Sequence, residues 1–429
     1  MSRVLLKGAR LVDPASDHDG VTDVLIEDET VEEVGTAAAK GAEVVDCSGL
    51  VLAPGLVDLH AHLREPGRED AETIESGSRA AALGGYTAIC AMPNTDPVAD
   101  SAAVILEVRN LAEKAGLIDV HPAAAITRGL AGEQLTEMAE LAELGVRWFT
   151  DDGECVQSAQ VMRMAMEYAK AFDIVISQHA QEATLSEGWQ MHEGQYSALL
   201  GLRGTPAEAE SVIVARDLLL AGLTGGRLHV THVSAGSSVG LIRDGKARGV
   251  RVSADVTPHH LTFADEDLQG YDTNLRVNPP FRSNEDRAAL RAGFVTGEID
   301  AVATDHAPHA VEDKEVEFDQ ARPGTTGLET ALAAVLSAVG DERELGTMVD
   351  RMSTTPARLL GLDDHGGPVT PGRPANLVLF DPSAAWTVGE RPFASRGRNS
   401  AFLGRAVRGR VVHTLLRGEF IVRDGELTR

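Results

Sequence analysis

The stretch LVDLHAH (residues 56–62) decides the fold, because it is a short apolar run that ends in polar side chains. A run of this kind is typical of a strand buried on both faces. Seven similar runs follow, with alanine-rich helical stretches such as 70–85 and 132–145 between them. The seven runs are TAICAMPN (87–94), DVHPAAAIT (119–127), VRWFTDD (146–152), DIVISQHA (173–180), RLHVTHVS (227–234), RVSADVTPHH (251–260) and AVATDHAPH (301–309). The alternation indicates an α/β protein with a parallel sheet, and eight runs in the sequence favour a closed (β/α)8 barrel, the TIM barrel, over an open doubly wound sheet.

The two ends of the chain resemble each other more than they resemble the middle. Residues 1–52 and 366–429 read as short strands separated by turns. Neither end alone has enough strands to bury a face. We therefore predict a small β-sandwich domain built from both termini, and a barrel domain over residues 53–365.

The composition excludes several classes of protein. Hydrophobic residues make up 43% and charged residues 24% of the chain, as in soluble globular proteins. The formal net charge of −26 argues against nucleic-acid binding and against an anionic membrane surface. The N-terminus lacks the pattern of a secretory signal, and the three cysteines are too scattered for a disulfide framework. We expect a cytoplasmic protein without membrane spans.

Polar side chains gather at the C-terminal ends of the predicted strands. The residues at or just beyond these ends are His60, His62, Asn94, Asp151, Asp152, His179, His232, His259, Asp305 and His309. In an eight-stranded barrel these ends converge on one mouth, where active sites are built. The sequence therefore predicts one polar site at the C-terminal mouth of the barrel.

The pair His60 and His62 suggests a metal site. Residues two apart in a strand point to the same side, so both imidazoles face one spot. The motif alone is weak evidence, but His179, His232 and Asp305 end three other predicted strands. Such a cluster would be costly to bury if nothing bound to it, and imidazole with carboxylate suits zinc.

At this point the chain resembles a known family, the amidohydrolase superfamily, and within it the class I dihydroorotases. The resemblance covers the whole length. The motifs that carry it are VLAPGLVDLHAHLREPG (51–67), AMPNTDP (91–97), FTDDG (149–153), ISQHA (176–180), THVS (231–234), VTPHHL (256–261), NPPFR (278–282), ATDHAPH (303–309), TTGLET (325–330) and GRPANLVLFDP (372–382).

The resemblance implies two Zn²⁺ ions per subunit and assigns their ligands. His60, His62 and Asp305 would bind one ion, and His179 and His232 the other. Many relatives bridge the ions with a carboxylated lysine at the end of the fourth strand, but no lysine stands near that position here. Asp152 resembles the bridge that some class I members use instead. For its neighbour Asp151, a helix N-cap or a solvated turn position is the favoured interpretation.

The substrate side is assigned in the same way. Arg64 follows the two histidines, and strand alternation places it on the same face as His62, where a guanidinium suits a carboxylate. The resemblance implies that Asn94 and His309 also bind this carboxylate, that Asn278 contacts the substrate ring, and that His62 is a substrate contact as well as a metal ligand. For Asn94 and Asn278, turn formation next to proline remains an alternative.

Three further histidines are left out of the predicted site. His259 and His260 are adjacent and would point in opposite directions along a strand, so at most one of them faces the mouth. His306 faces away from Asp305 by the same argument.

The loop after His309 has one unusual feature. Residues 310–324 resemble the family's mobile loop, which covers the site and ends in a pair of residues that touch substrate. Here the pair is Pro323-Gly324. Because proline has no N–H, any donor contact from this pair must come from Gly324.

The resemblance implies the reversible cyclisation of N-carbamoyl-L-aspartate to (S)-dihydroorotate and water, the third step of pyrimidine (UMP) synthesis. A hydroxide held between the metals would be the nucleophile, and Asp305 the general base and acid. A homodimer is expected, with aspartate carbamoyltransferase as a candidate partner.

Two alternatives stay open: another ring-opening amidohydrolase (a dihydropyrimidinase, hydantoinase or allantoinase), or an inactive scaffold for the carbamoyltransferase. Arg64 beside His62 argues against the first alternative, whose substrates lack the ring carboxylate. The complete set of ligands argues against the second.

Overall fold

The computed structural model describes residues 3–36, 41–340 and 344–429. Its strands are β1 (Arg3–Asp13), β2 (His18–Glu27), β3 (Thr30–Gly35), β4 (Glu43–Asp46), β5 (Val51–Pro54), β6 (Leu56–Ala61), β7 (Tyr86–Ala91), β8 (Asp119–Pro122), β9 (Trp148–Thr150), β10 (Val175–Gln178), β11 (Met191–His192), β12 (Gly204–Thr205), β13 (Arg227–Val230), β14 (Val252–Val256), β15 (Ala301–Val302), β16 (Leu377–Thr387), β17 (Ala406–Leu416), β18 (Glu419–Arg423) and β19 (Glu426–Leu427).

The α-helices are α1 (Ile74–Leu83), α2 (Ala102–Ala115), α3 (Met138–Glu143), α4 (Ala159–Lys170), α5 (Gln195–Leu200), α6 (Glu208–Thr224), α7 (Gly236–Ala247), α8 (Asn284–Thr296), α9 (Val311–Lys314), α10 (Ala331–Val339), α11 (Leu345–Val349) and α12 (Thr355–Leu360). Short 3₁₀ turns span Pro14–Ser16, Arg128–Leu130, Asp265–Gly270 and Thr273–Leu275, and a π-helical turn spans Asp350–Thr354. No helix of the described residues is long and apolar enough to cross a membrane.

Eight parallel strands close into a barrel. β6, β7 and β8 pair in sequence order, and so do β9, β10, β13, β14 and β15. Isolated parallel bridges join the two sets, from Ala124 to Phe149 on one side and from Ala61 to His306 on the other. The eight predicted runs are thus the eight barrel strands, and the predicted fold class is confirmed.

Buried side chains explain why these strands form. All six residues of β6 and all six of β7 are buried, so neither face of either strand is left to solvent. The largest apolar cluster joins the barrel to its helices, and each fully buried Val, Leu or Ile side chain in it contributes about 1.5–3 kcal/mol. At the closing seam, Asp58 on β6 accepts hydrogen bonds from the backbone N (2.8 Å) and hydroxyl (2.5 Å) of Thr304.

One predicted helix is shorter than its pattern. The stretch 132–145 is helical only over α3, because the residues before it pair with an earlier segment. Thr136 donates from its backbone N to Ile126 and from its hydroxyl to Ala125 (2.8 Å), and Leu135 bridges Thr127. These tertiary hydrogen bonds outweigh the helical periodicity of the sequence.

Both termini contribute to one nine-stranded sheet, in the order β19-β18-β17-β16-β5-β1-β2-β3 with β4 beside β1. The N- and C-terminal parts meet where β5 pairs antiparallel with β16, Leu52 opposite Leu379. This sheet has an apolar cluster of its own. The division at residues 52, 53, 365 and 366 stays a prediction.

Candidate metal centre and active site

His60 and His62 present their imidazoles at the mouth of the barrel. His60 lies on β6 and His62 directly follows it, held by a backbone hydrogen bond from its N to His306 O (2.8 Å). Their Nε2 atoms are 3.3 Å apart, and both side chains are buried. The alternation predicted for this pair therefore brings the two rings together.

The Nδ1 atoms of His60 and His62 are both hydrogen-bond donors. Thr231 Oγ1 donates to Asp255 Oδ2 (3.1 Å), so the contact of 2.9 Å between His60 Nδ1 and Thr231 Oγ1 takes its proton from His60. His62 Nδ1 likewise donates to Asn94 Oδ1 at 2.9 Å. With a proton fixed on Nδ1, the Nε2 atoms of both histidines point into the site.

His179 and His232 end two other strands and face the same space. His179 Nε2 donates to Gln181 Oε1 (2.7 Å), which leaves Nδ1 directed inwards, 2.9 Å from His232 Nε2. His232 has a left-handed backbone (φ 38°), and its N donates to Asp255 Oδ1 at 2.6 Å. Asp255 on β14 thus orients a ligand candidate that follows the neighbouring strand, β13.

Asp152 lies between the two pairs of histidines. Its Oδ2 is 3.2 Å from His60 Nε2 and 3.4 Å from His62 Nε2. Its Oδ1 is 3.3 Å from His232 Nε2 and 3.6 Å from His179 Nδ1. A carboxylate with one oxygen towards each pair has the geometry of a bridging ligand.

Asp305 completes the cluster from the strand that closes the barrel. Its Oδ1 is 3.2 Å from His62 Nε2 and 3.5 Å from His60 Nε2. Its backbone is left-handed (φ 44°), which bends the chain away from the strand direction. Asp305 therefore lies beside His60 and His62, the two histidines with which it is predicted to bind one metal ion.

The donor set fits divalent metal ions. His60, His62 and Asp305 have ligand atoms within 4.8 Å of one another, and so do His60, Asp152 and His232. His179 is in neither triad, although its Nδ1 adjoins His232 Nε2. Lone pairs of imidazoles and carboxylates that converge in a buried site cost free energy unless a cation lies between them. Nitrogen and oxygen donors of this kind suit zinc.

The electrostatics of the cluster also favour a cation. Burial raises the pKa of Asp152, but His60, His179 and His232 outweigh burial and hold that pKa well below its usual range. Burial lowers the pKa of His60, yet Asp152 and Asp305 outweigh it and raise the pKa to about 10. The carboxylates thus attract positive charge strongly enough to hold a proton on a buried imidazole, and a bound metal displaces such protons.

A cavity of about 200 Å³ opens beside the cluster. It is lined by His62, Arg64, Asn94, Asp152, Gly153, His179, His232, Asn278, Asp305, Ala307, His309, Arg322, Pro323 and Gly324. With the exception of His60, every residue assigned to a metal ion or to the substrate borders this space. The space suits one small substrate.

Arg64 reaches the cavity by a different route from the one predicted. β6 ends at Ala61, and Arg64 has a left-handed backbone (φ 62°), so strand alternation does not set its direction. A hydrogen bond from its Nε to Pro308 O (3.2 Å) holds the side chain instead. Burial lowers the pKa of Arg64 to about 10, so the guanidinium is charged at neutral pH.

Asn94 and Asn278 differ in whether the side-chain oxygen has a hydrogen-bond partner. Asn94 uses its Oδ1 to accept from His62, so its amide group supports a ligand candidate as well as bordering the cavity. Asn278 donates from Nδ2 to Gln181 Oε1 (3.1 Å), while its buried Oδ1 has no hydrogen-bond partner among the described residues. An unpartnered buried acceptor at a cavity wall is a position for a ligand donor.

Pro323 and Gly324 contribute an acceptor to the cavity wall. The Gly324 N–H, the only backbone donor that the pair could offer, already donates to Arg276 O (2.8 Å). The pair instead contributes a carbonyl: Pro323 O accepts from His309 Nε2 at 2.9 Å. Burial, with a smaller contribution from Arg64, lowers the pKa of His309 to about 2, so its imidazole is neutral.

Asp151 is neither solvated nor a helix cap. It is 1% exposed and accepts a hydrogen bond from the Thr127 N (2.9 Å) and another from the Thr127 hydroxyl. These bonds tie the end of β9 to the segment that follows β8. The Asp151 side chain has a structural role, as predicted. It acts as a buried hydrogen-bond acceptor, however, and not as a helix cap or a solvated turn residue.

The three histidines left out of the site are all buried. His260 Nδ1 contacts Thr257 Oγ1 (2.7 Å), and His260 Nε2 donates to Pro279 O (3.0 Å). His306 Nε2 lies 3.1 Å from Glu72 Oε2. His259 and His260 lie in a turn after β14, so the alternation of a strand does not apply to them. None of the three borders the cavity.

Sequence reasoning missed the residues that orient the ligand candidates. Gln181, Thr231 and Asp255 hold His179, His60 and His232 in place. Thr231 opens the motif THVS (231–234) and Gln181 directly follows the motif ISQHA (176–180), so their positions were a usable signal. Asp255 lies inside the predicted run 251–260 and directly precedes the motif 256–261, but its hydrogen-bond partners are 23 to 26 residues away, so no local pattern assigned it this role.

Comparisons with known proteins agree with this geometry. Residues 49–238 match the family model described as "Dihydro-orotase-like". A dihydroorotase of Streptomyces coelicolor is 50% identical, with all of both chains covered, and one of Mycobacterium tuberculosis is 47% identical over 99% of each. Among solved structures, an L-hydantoinase from Arthrobacter aurescens superposes with a TM-score of 0.89 at 28% identity, covering 100% of this chain and 98% of its own.

The full-length similarity to the curated relatives extends beyond the shared barrel and includes the terminal sheet. The chain therefore belongs to the dihydroorotase family of the amidohydrolase superfamily.

Proposed function

We propose that this cyclic amide hydrolase is a zinc-dependent class I dihydroorotase. It interconverts N-carbamoyl-L-aspartate with (S)-dihydroorotate and water, a step of pyrimidine synthesis. The observation that carries the proposal is the shared cavity of about 200 Å³, in which a charged guanidinium, Arg64, faces the same space as the cluster of histidines and aspartates. A ring that bears both a cyclic amide and a carboxylate needs both features.

His60, His62 and Asp305 would hold one Zn²⁺, and His179 and His232 the second, with Asp152 between them. Bound zinc lowers the pKa of water and polarises a carbonyl, which makes attack on an amide feasible near neutral pH. Gln181, Thr231 and Asn94 fix the imidazoles so that a lone pair of each faces the ion.

Asp305 moves the proton. Its carboxylate lies at the cavity wall beside His62, and His60 and His62 hold its pKa well below the usual range despite burial. It accepts a proton from the attacking water and delivers it to the ring nitrogen as the C–N bond breaks. In the direction of ring closure the same carboxylate takes the proton from the carbamoyl nitrogen.

Arg64, Asn94 and His309 orient the substrate through its carboxylate. Arg64 supplies the charge, because His309 is neutral. Asn278 Oδ1, the unpartnered acceptor, takes a hydrogen bond from a ring N–H. These residues position the substrate without taking part in bond breaking.

Substrate comparison tests the function. We expect the zinc-loaded protein to open the ring of (S)-dihydroorotate and to leave dihydrouracil, hydantoin and allantoin essentially untouched. A preference for a ring without a carboxylate would instead support a hydantoinase or dihydropyrimidinase, in keeping with the solved structure that the barrel resembles. Absence of any turnover, with zinc bound, would support the scaffold role.

We further propose a cytoplasmic homodimer, supported by the family resemblance, with aspartate carbamoyltransferase as a candidate partner. Size-exclusion chromatography with light scattering tests the dimer. Co-purification with the carbamoyltransferase of the same cell tests the complex.

A further inference from the structure

A buried lysine and a buried asparagine lie behind the cavity wall, outside every role assigned so far. Lys314 ends the short helix α9 and is 6% exposed, and Asn399 lies between β16 and β17 and is 3% exposed. Neither residue borders the cavity. Both contact the segment Arg322–Gly324, which does.

Among the residues that the structure describes, the Lys314 ammonium donates only to backbone carbonyls. Its Nζ is 2.9 Å from the carbonyl oxygen of Arg322, 3.1 Å from that of Gly324 and 3.5 Å from that of Arg276. Two of these acceptors flank Pro323. Burying a charged lysine costs free energy unless the ammonium is hydrogen-bonded. The three carbonyl partners are therefore needed to keep Lys314 buried at this place.

Asn399 comes from the terminal segments and holds the same wall from the other side. Its Nδ2 donates to the carbonyls of Gly324 (3.1 Å) and Ala307 (3.0 Å), and its Oδ1 accepts from the His309 N (3.0 Å). The Gly324 carbonyl thus has a donor from each residue, one for each lone pair.

The segment Arg322–Gly324 packs tightly against His309, a residue proposed to bind the substrate. Pro323 O accepts from His309 Nε2 at 2.9 Å. Gly324 has φ 144°, and a Cβ there would lie 2.8 Å from His309 Nε2 and 2.9 Å from the Ala307 side chain. A small shift of the Arg322 and Gly324 carbonyls would therefore move His309 and change the shape of the cavity.

We infer that Lys314 and Asn399 are positioning residues that set the wall formed by Pro323, Gly324 and His309, and so control substrate affinity. The inference rests on the proposed function, because affinity means affinity for dihydroorotate. It also makes the terminal domain a contributor to the active site, through Asn399. Neither side chain contacts a ligand candidate of the metal centre, so metal content is independent of both.

The test compares Lys314→Met and Asn399→Asp with a control, Lys246→Met. Methionine keeps the length of lysine without its donors, and aspartate keeps the acceptor for His309 N while removing the Nδ2 donor. Lys246 also caps two carbonyls, those of Gly297 (3.0 Å) and Glu298 (2.9 Å), and pairs with Asp300 (2.6 Å) at the opposite end of the barrel. It therefore matches the chemical change away from the cavity.

We expect both test variants to raise KM for (S)-dihydroorotate about tenfold, with kcat kept within about threefold and zinc content unchanged. Hydrogen exchange at the backbone amides of Arg322, Gly324, Thr325 and Thr326 should accelerate in both, whether or not substrate is present. The control should lose thermal stability only. If the parent protein does not turn over dihydroorotate, the proposed function fails, while the exchange measurement still tests the positioning role.

Three results would overturn the inference. The first is a KM within about twofold of the parent value in both test variants. The second is unchanged exchange over residues 322–326. The third is loss of zinc or of the fold in both variants, since the assigned role is local.

Discussion

At the scale of single residues, Asp152 carries the most distinctive chemistry of the site. Each of its oxygens faces a different pair of imidazoles. Asp152→Ala should lose at least one metal ion and nearly all turnover, because two cations would face each other without a shared anion. Elemental analysis beside a dihydroorotate assay measures both effects.

Asp151→Ala is the matched control for that change. Asp151 is buried and bonded to Thr127, so its loss should lower the free energy of unfolding by about 1–3 kcal/mol. Metal content and turnover should stay close to the parent values. The reverse order of effects would assign the bridge to Asp151.

Arg64 is predicted to set the choice of substrate. Arg64→Ala should keep both metals and lose dihydroorotate turnover by about a hundredfold or more, because the carboxylate would be desolvated without a counter-charge. Arg79→Ala removes a partly exposed arginine on α1 that pairs with Glu75, and this change should have no measurable effect. Steady-state kinetics that leave Arg64→Ala near the parent rate would refute the carboxylate assignment.

Asp305 is predicted to be both ligand and proton carrier. Asp305→Asn keeps the shape of the side chain but cannot accept a proton, so kcat should fall by about a thousandfold while substrate binding is largely kept. Single-turnover kinetics with a separate binding measurement distinguish the two. A variant that retains about a tenth of the activity would rule out the proton-transfer role.

At the scale of elements, β8 is joined to the terminal sheet by an ion-pair network. Asp119 on β8 lies 2.6 Å from Arg417 Nη2 and 2.9 Å from His365 Nε2. Burial raises the pKa of Asp119, but His365 and Arg417 outweigh it and lower the pKa to about 2. Because the folded-state pKa is depressed, the network stabilises the fold above the unfolded-state value of about 3.9 and is lost as pH falls towards 2.

Asp119→Asn should therefore lower the free energy of unfolding near pH 7 by about 1 kcal/mol, a modest value because the Arg417 side chain is 43% exposed. The difference in free energy of unfolding between the variant and the parent should become smaller as the pH falls below about 4. Urea unfolding at a series of pH values measures this difference, and a pH-independent difference would contradict the account. Turnover should be unaffected, because Asp119 does not border the active-site cavity.

The elements show which parts of the structure local sequence patterns can predict. The eight barrel strands follow from apolar runs, because burial on both faces leaves a strong signal. The length of α3 does not, since hydrogen bonds from Thr136 to Ala125 and Ile126 join distant segments. The direction of Arg64 and the surroundings of Asp151 depend on such non-local contacts as well.

At the scale of the whole molecule, the site is assembled from many separate strands and from the terminal segments. The ligand candidates could be predicted because each ends a strand and the barrel brings strand ends together. Asn399 could not, because it lies 90 residues from His309 and no local pattern relates them. The metal-ligand candidates are thus easier to predict from the sequence than the residues proposed to position the wall formed by Pro323, Gly324 and His309.

The central claim is a site for two zinc ions that is bridged by Asp152 and that acts on dihydroorotate. Metal-free protein titrated with zinc in bicarbonate-depleted buffer, with (S)-dihydroorotate turnover as the readout, tests this claim most directly. We predict that activity rises to a plateau at two equivalents of zinc per chain, with no added mass on any lysine. A requirement for bicarbonate, a plateau at one equivalent, or no turnover at any zinc concentration would contradict it.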